Sequence, residues 1–343
     1  MRNILFIGLF GLFACVLVAF KSQLNSTSIE FIVPKKWPKP IYTFENNPLT
    51  EEGFQLGRKL FYDPILSRDS TISCASCHLQ YTGFTHVDHA VSHGIDGRKG
   101  TRNSPVLINL AWNKSFHWDG GVNHLEVQGI NPIQHMTEMD NTLEEVIRRL
   151  KRSSYYPIAF EKAFGKTEIS TSTIMKALTQ YTASLVSSNS KYDQVMRKEK
   201  GIAFTPQEKN GLKLFQQHCA ACHTEPLFTN TFFASNGLKM DSLLKDVGRY
   251  AITQQAKDSM QFKIPTLRNI EFTFPYMHDG RYKKLKDVIN YYSDGIDVNN
   301  SYLHNSLKKT LHFTEIEKKD LLAFLLTLTD KTFLYNKRFS FPR

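Results

Sequence analysis

Two Cys-x-x-Cys-His runs, Cys74-Ala75-Ser76-Cys77-His78 and Cys219-Ala220-Ala221-Cys222-His223, take up four of the chain's five cysteines. In such a run both thiols can add across the vinyl groups of one haem, and the adjoining histidine is placed to bind the iron from the proximal side. Zinc clamps and redox pairs also use cysteines separated by two residues. Two runs that both end in histidine and leave no other cysteine pair argue against those alternatives. The chain is therefore expected to carry two covalent c-type haems, one held by Cys74, Cys77 and His78, the other by Cys219, Cys222 and His223.

A length of 343 residues suits two domains of ordinary size, each able to bury a core. Residues 4–20 are unbroken apolar, preceded by Arg2 and followed by Lys21. Residues 1–22 therefore read as a signal peptide or an N-terminal membrane anchor, and the protein as exported to the periplasm or cell envelope. No small-x-small cleavage site follows, so cleavage and membrane attachment both stay open. Cys15 is read as part of this apolar segment rather than a lipid attachment point, because the run continues through residues 16–20. The formal charge of +11 does not indicate nucleic acid. Its short basic clusters at 148–152 and 283–286 lack the interleaved aromatics of a nucleic-acid surface. They read as solvated helix faces, or as docking sites for an acidic electron donor or an anionic membrane.

Residues 23–48, with Pro34, Pro38 and Pro40, read as a polar linker. Helical patterns then dominate, at 51–61, 143–150, 171–186, 205–219, 285–292 and 314–328, and no segment sustains strand alternation. Thr205, Pro206 and Glu208 have the spacing of a capping box with proline at the first helical position, which marks the start of a second unit. The expected fold is mainly α, with two cytochrome c-like helical domains at 49–200 and 201–343, each holding one haem. The halves look duplicated, although little beyond the haem-binding segments repeats in the sequence.

Several further strings, in order and at matching spacings over residues 50–330, resemble the bacterial di-haem cytochrome c peroxidase family, including its MauG-like branch. They are Leu60-Phe61-Tyr62-Asp63-Pro64, Arg102-Asn103-Ser104-Pro105, Phe116-His117-Trp118-Asp119-Gly120, Gln128 with Pro132-Ile133, Glu138-Met139, Pro265-Thr266-Leu267-Arg268-Asn269 and Pro275-Tyr276-Met277-His278-Asp279-Gly280. The resemblance implies that His78 belongs to a peroxidatic haem and His223 to an electron-transfer haem. It implies that Gln128 and Glu138 lie on the distal side of the first iron, where a carboxylate can shuttle a proton between peroxide oxygens and an amide can orient them. Trp118 would lie between the haems as an electron relay, and His93 would be a displaceable distal ligand of the first.

For the second haem the resemblance implies Tyr292 as sixth ligand, with Met277 as the rival. A phenolate lowers the reduction potential and a thioether raises it. Asn103, Thr273 and Pro275 match a calcium site of oxygen ligands. The implied activity is reduction of hydrogen peroxide with electrons from a cytochrome c or similar small redox protein. The alternatives are a MauG-like oxidase of a partner protein and a non-enzymatic di-haem electron carrier. A homodimer is compatible with the resemblance.

Overall fold

The computed structural model describes residues 26–342. The segment 1–22, with Cys15, lies outside the described residues, among which no helix is long and apolar enough to cross a membrane. The chain is predominantly helical. Its α-helices are α1 (Glu51–Tyr62), α2 (Cys74–Cys77), α3 (Ile130–Gln134), α4 (Leu143–Arg152), α5 (Tyr156–Phe164) and α6 (Thr171–Ala183). There follow α7 (Lys191–Met196), α8 (Pro206–His218), α9 (Tyr250–Thr253), α10 (Leu285–Asn290), α11 (Glu315–Leu326) and α12 (Lys331–Leu334). A single two-stranded antiparallel pair among the described residues joins β1 (Phe233–Ala234) to β2 (Phe262–Lys263).

Local chemistry fixes the long helices. At α8 the Thr205 hydroxyl accepts from Glu208 N, and the Glu208 carboxylate accepts from Thr205 N in return. Thr314 and Glu317 make the same reciprocal pair at α11, so both helices start with their first amides satisfied. Each half is then built on one close helix crossing. Gly57 of α1 lies against the Ala177 carbonyl of α6, and Gly211 of α8 against the Asp320 carbonyl of α11. A side chain at either glycine would hold the helices apart.

Two cores form around these crossings. The first gathers Phe54, Phe61, Phe84 and Tyr181, and the second Phe215, Phe228, Leu321 and Phe324. Short segments cross between them on either side of the expected boundary at residue 200. Tyr192 of α7 packs into the second core, while Phe333, Leu334 and Phe339, from the C-terminal end, return to the first. Residues 26–48 are likewise not a free linker. Tyr42 is buried, Phe31, Trp37 and Phe44 pack on the first core, and the Trp112 indole donates to Pro38 O at 2.8 Å. Apolar side chains placed between prolines turn an expected tether into a strap.

The likeness of the two halves runs further than the sequence shows. In the first half Phe116 N donates to Val122 O at 2.7 Å, and in the second Tyr276 N donates to Tyr282 O at 2.7 Å. Each bond closes a loop that opens with a left-handed residue, His117 (φ 62) or Met277 (φ 74), and turns at Gly120 or Gly280. The His-Trp-Asp-Gly and Met-His-Asp-Gly strings are thus the same loop with different side chains.

Because a methyl group at Gly57 would meet the α6 backbone, Gly57→Ala is expected to destabilise by about 1–3 kcal/mol. The corresponding drop in denaturant midpoint should be matched by Gly211→Ala in the other crossing. A wild-type midpoint in both would show that the crossings are not close-packed.

Candidate functional site

Each Cys-x-x-Cys-His run is wound into a tight turn that brings both thiols and the histidine to one cavity. In the first, His78 N donates to Cys74 O at 3.0 Å, and in the second His223 N donates to Cys219 O at 2.9 Å. His78 Nδ1 lies 2.8 Å from Phe84 O, and His223 Nδ1 lies 3.1 Å from both Phe228 O and Pro265 O. A carbonyl can only accept, so the proton sits on Nδ1 and the Nε2 lone pair is left for a metal. Burial pulls both imidazoles down to about 4, which keeps them neutral. The four cysteines are free, and burial pushes Cys74 up to about 12, Cys77 to about 11 and Cys219 to about 12.

The first cavity, 670 Å³, is lined by Cys74, Cys77 and His78 and also by Gln128, Glu138 and Trp118. Glu138 is brought in from the turn after α3. Ile95 N donates to its carbonyl at 2.8 Å, and Gly94 has no room for a Cβ because the Thr137 and Glu138 backbones press on it. The same loop is tied down by Arg98, which donates to Met136 O and Asp140, each at 2.9 Å. Burial raises the Glu138 carboxyl above its ordinary value. His93 is not brought into this cavity. Its ring stacks on His89, with centroids 4.1 Å apart and planes at 9°, and only its carbonyl oxygen approaches, 3.3 Å from Cys77 Sγ.

The second cavity, 380 Å³, is lined by Cys219, Cys222 and His223 together with Tyr292, Met277 and Asn236. The helical pattern expected through 292 ends as an α-helix at Asn290 and continues as a single π turn, Tyr291–Gly295. Burial pushes the Tyr292 phenol up to about 12, against a hydrogen bond from Asn236 that lowers it. Asn103, Thr273 and Pro275 also line this cavity. The Asn103 amide nitrogen donates to Ala90 O at 3.1 Å. Its Oδ1 and the Thr273 and Pro275 carbonyl oxygens accept no hydrogen bond among the described residues, which suits a hard cation.

Trp118 lines both cavities. Its indole donates to Asn103 O at 2.8 Å, and its own carbonyl accepts from Lys263 N at 2.7 Å. Two residues beside it were not singled out from sequence. His117 lines both cavities, and its buried Nε2 has no hydrogen-bond partner among the described residues. Lys263 lines the second cavity, with Nζ donating to Ser115 O at 3.1 Å, and burial draws its ammonium down to about 8. No carboxylate pairs with Lys263 among the described residues. An unpartnered imidazole nitrogen and an unpaired ammonium beside apolar cavities fit a flat apolar group that carries its own carboxylates, as haem does.

Residues 51–201 match the family model described as di-haem cytochrome c peroxidase. The chain is 34% identical over 316 residues to the methylamine utilization protein MauG of Methylorubrum extorquens, covering 90% of this chain and 86% of that protein. It is 35% identical over 264 residues to the cytochrome c551 peroxidase of Pseudomonas aeruginosa, covering 74% of this chain and 75% of that one. Among solved structures, a MauG-like protein associated with microbial copper homeostasis superposes with a TM-score of 0.85 at 32% identity, covering 92% and 99% of the two chains.

Arg102 ties the Trp118 loop to the second half. Its guanidinium donates to Asp119 Oδ2 at 2.5 Å, and to Asp246 Oδ2 at 2.6 Å and Oδ1 at 2.8 Å. Burial alone would raise the Asp246 carboxyl, but the bonds and charge of Arg102 outweigh it and hold the carboxyl below its ordinary value. Its stabilisation is therefore present above the unfolded pKa of about 3.9 and is lost as pH falls through the lower folded value. Asp246→Asn should cost about 1–3 kcal/mol at neutral pH, read by denaturant unfolding. The gap between wild type and variant should narrow as pH falls below the unfolded value of about 3.9, and a constant gap would refute the assignment.

Proposed function

Because the chain belongs to the di-haem cytochrome c peroxidase family, we propose that it reduces hydrogen peroxide to water at a haem held by Cys74, Cys77 and His78. Electrons enter through a second haem held by Cys219, Cys222 and His223. The protein is an oxidoreductase of the peroxidase class. On this reading it has two cytochrome c-like domains, 49–200 and 201–343, which exchange short segments at their cores. The observation that carries the proposal is the difference between the cavities: Gln128 and Glu138 accompany His78, whereas Tyr292 and Met277 accompany His223.

Bound haem iron supplies the electrons that cleave the peroxide O–O bond. The chain supplies the proton handling. Glu138, a half-buried carboxyl with raised proton affinity, takes the proton from the inner peroxide oxygen and returns it to the outer one, which leaves as water. The Gln128 amide donates to the peroxide, orienting it and offsetting negative charge as the bond breaks. Each turnover consumes two electrons and two further protons. Trp118, fixed at its indole and its carbonyl, is the relay between the cavities. Lys263 and His117 would be available to the carboxylates of a bound haem, and Asn103, Thr273 and Pro275 would offer oxygen atoms to a calcium ion. A periplasmic setting, with a small cytochrome as donor, goes with this reading.

The second reading keeps the frame and changes the electron source: the protein oxidises a partner protein, as a MauG-like enzyme. It is favoured by the position of Tyr292 in the second cavity and by the likeness to MauG. Mixing peroxide with the fully oxidised and half-reduced holoprotein, following the Soret band and measuring turnover with a reduced cytochrome, tests both. Turnover with the cytochrome supports the peroxidase. A lasting change in the fully oxidised protein without such turnover supports the second reading, and no change in either state defeats both. Glu138→Gln should lower kcat/KM for peroxide by about 10²–10⁴-fold and leave the resting spectrum in place. An activity within a fewfold of wild type would remove Glu138 from the mechanism.

A further inference from the structure

Tyr292 and Met277 reach the second cavity from different directions, one on the π turn after α10 and the other on the left-handed residue of the Met-His-Asp-Gly loop. A single side chain touches both. Asn236 Nδ2 lies 3.3 Å from Tyr292 Oη and 3.4 Å from Met277 Sδ, and Asn236 lines the same cavity as His223. A primary amide has two N–H donors, so both contacts can be made at once. We propose that Asn236 selects the sixth ligand of the second haem, holding Tyr292 forward and keeping Met277 back. The proposal rests on the reading that this cavity holds a haem on His223 with Tyr292 as its other ligand.

The amide is well placed to hold a fixed direction. Its Oδ1 accepts from Leu238 N at 3.4 Å, and its backbone carbonyl accepts from Tyr291 Oη at 2.9 Å. The next residue, Gly237, has φ 80, and a Cβ there would meet Leu303. The Gly237 carbonyl accepts from Asn300 Nδ2 at 3.2 Å. Asn236 is thereby fastened to the neighbouring tyrosine and to the loop at Asn300, while its nitrogen faces the two candidate ligands.

The two acceptors respond differently. A hydrogen bond to an anionic oxygen is charge-assisted and roughly twice as strong as one between neutral groups. It strengthens as the phenolic oxygen gives up its proton to bind ferric iron. Thioether sulfur is a weak acceptor, and an N–H directed at it occupies electron density that the sulfur would otherwise offer to the metal. One donor group therefore favours oxygen ligation and disfavours sulfur. Asn236 is a positioning residue, and its effect is visible in the iron's spectrum and potential, not only in turnover.

The test compares three purified holoproteins with wild type: Asn236→Leu, Asn236→Asp and Tyr292→Phe. In both Asn236 variants, the second haem should shift toward sulfur ligation in the ferric state, with a near-infrared methionine-to-iron charge-transfer band. In Asn236→Leu, which adds no charge, its midpoint potential should also rise by about 59 mV or more, a tenfold change in the one-electron equilibrium. Adding Met277→Leu should abolish the new band. Asn236→Asp keeps the side-chain shape and lacks the donor, so it decides the matter should the leucine variant fold poorly. Wild-type spectrum and potential in the folded Asn236 variants, with a changed spectrum in Tyr292→Phe, would overturn the selection by Asn236 and leave Tyr292 as ligand. An unchanged spectrum in Tyr292→Phe would instead overturn the ligand assignment on which the proposal rests.

Discussion

The second haem run is oriented by a cation that never reaches solvent. Arg268 is fully buried and donates to both carboxylate oxygens of Asp193 at 2.8 Å and to Pro226 O at 2.9 Å and 2.6 Å. Its guanidinium also lies 4.6 Å from the Trp37 ring centroid and 5.5 Å from that of Phe228. One side chain thus joins the N-terminal strap, α7 and the loop after the second run. Phe228 supplies one of the carbonyls that hold His223 Nδ1, so the imidazole direction depends on this packing. A buried ion pair costs desolvation that its attraction only partly returns. Here four of the five guanidinium N–H groups find acceptors and two aromatic rings lie close by, so the pair is bound to one arrangement.

A second polar junction joins Arg102 and Asp119, which line the first cavity, to Asp246. The Trp118 loop is held from the first half through Asn103 O and from the second through Lys263 N and Arg249, which donates to Asp119 O at 2.9 Å. Neither half positions the indole alone. A relay between two metal centres needs fixed distances, and a ring tied at both ends to different cores has them as long as the cores stay docked. Asn103 has a double part in this, since its carbonyl holds Trp118 while its side chain faces the proposed calcium position. Occupation of that position would stiffen the relay through a single residue.

Much of this was legible in the sequence, because it rests on short-range chemistry. The Cys-x-x-Cys-His runs, the capping box at Thr205 and the helix it starts need only a few neighbouring residues. Gln128, Glu138 and Trp118 were singled out through family strings, and they line one cavity together with His78. What escaped depends on distant chain segments. Nothing near residue 333 signals that Phe333 and Phe339 return to the first core, since apolar residues do not state their partners. Prolines between 34 and 40 suggested a tether, but Trp37 and Tyr42 in the same segment were the signal for a packed strap. Lys263, His117 and Asn236 are ordinary polar residues in sequence and gain meaning only where the fold leaves them beside a cavity. His93, singled out through the resemblance, stacks on His89 and is not among the residues that line the cavity of His78.

The shared loop of the two halves explains how a duplicated frame can become two unequal sites. Both loops close with the same backbone bond and begin with a left-handed residue, so the first side chain of each is sent toward its cavity by the same geometry. In the first half that residue is His117, an imidazole with an unpartnered nitrogen. In the second it is Met277, whose sulfur meets Asn236. The following residue is Trp118 in one loop and His278 in the other, and His278 stacks on Phe262 at 3.7 Å instead of bridging cavities. Side-chain replacement on a fixed turn therefore alters the chemistry of each site without altering the fold. Two unequal sites thus require no difference of backbone at this loop, only a different residue at its left-handed position and at the one after it.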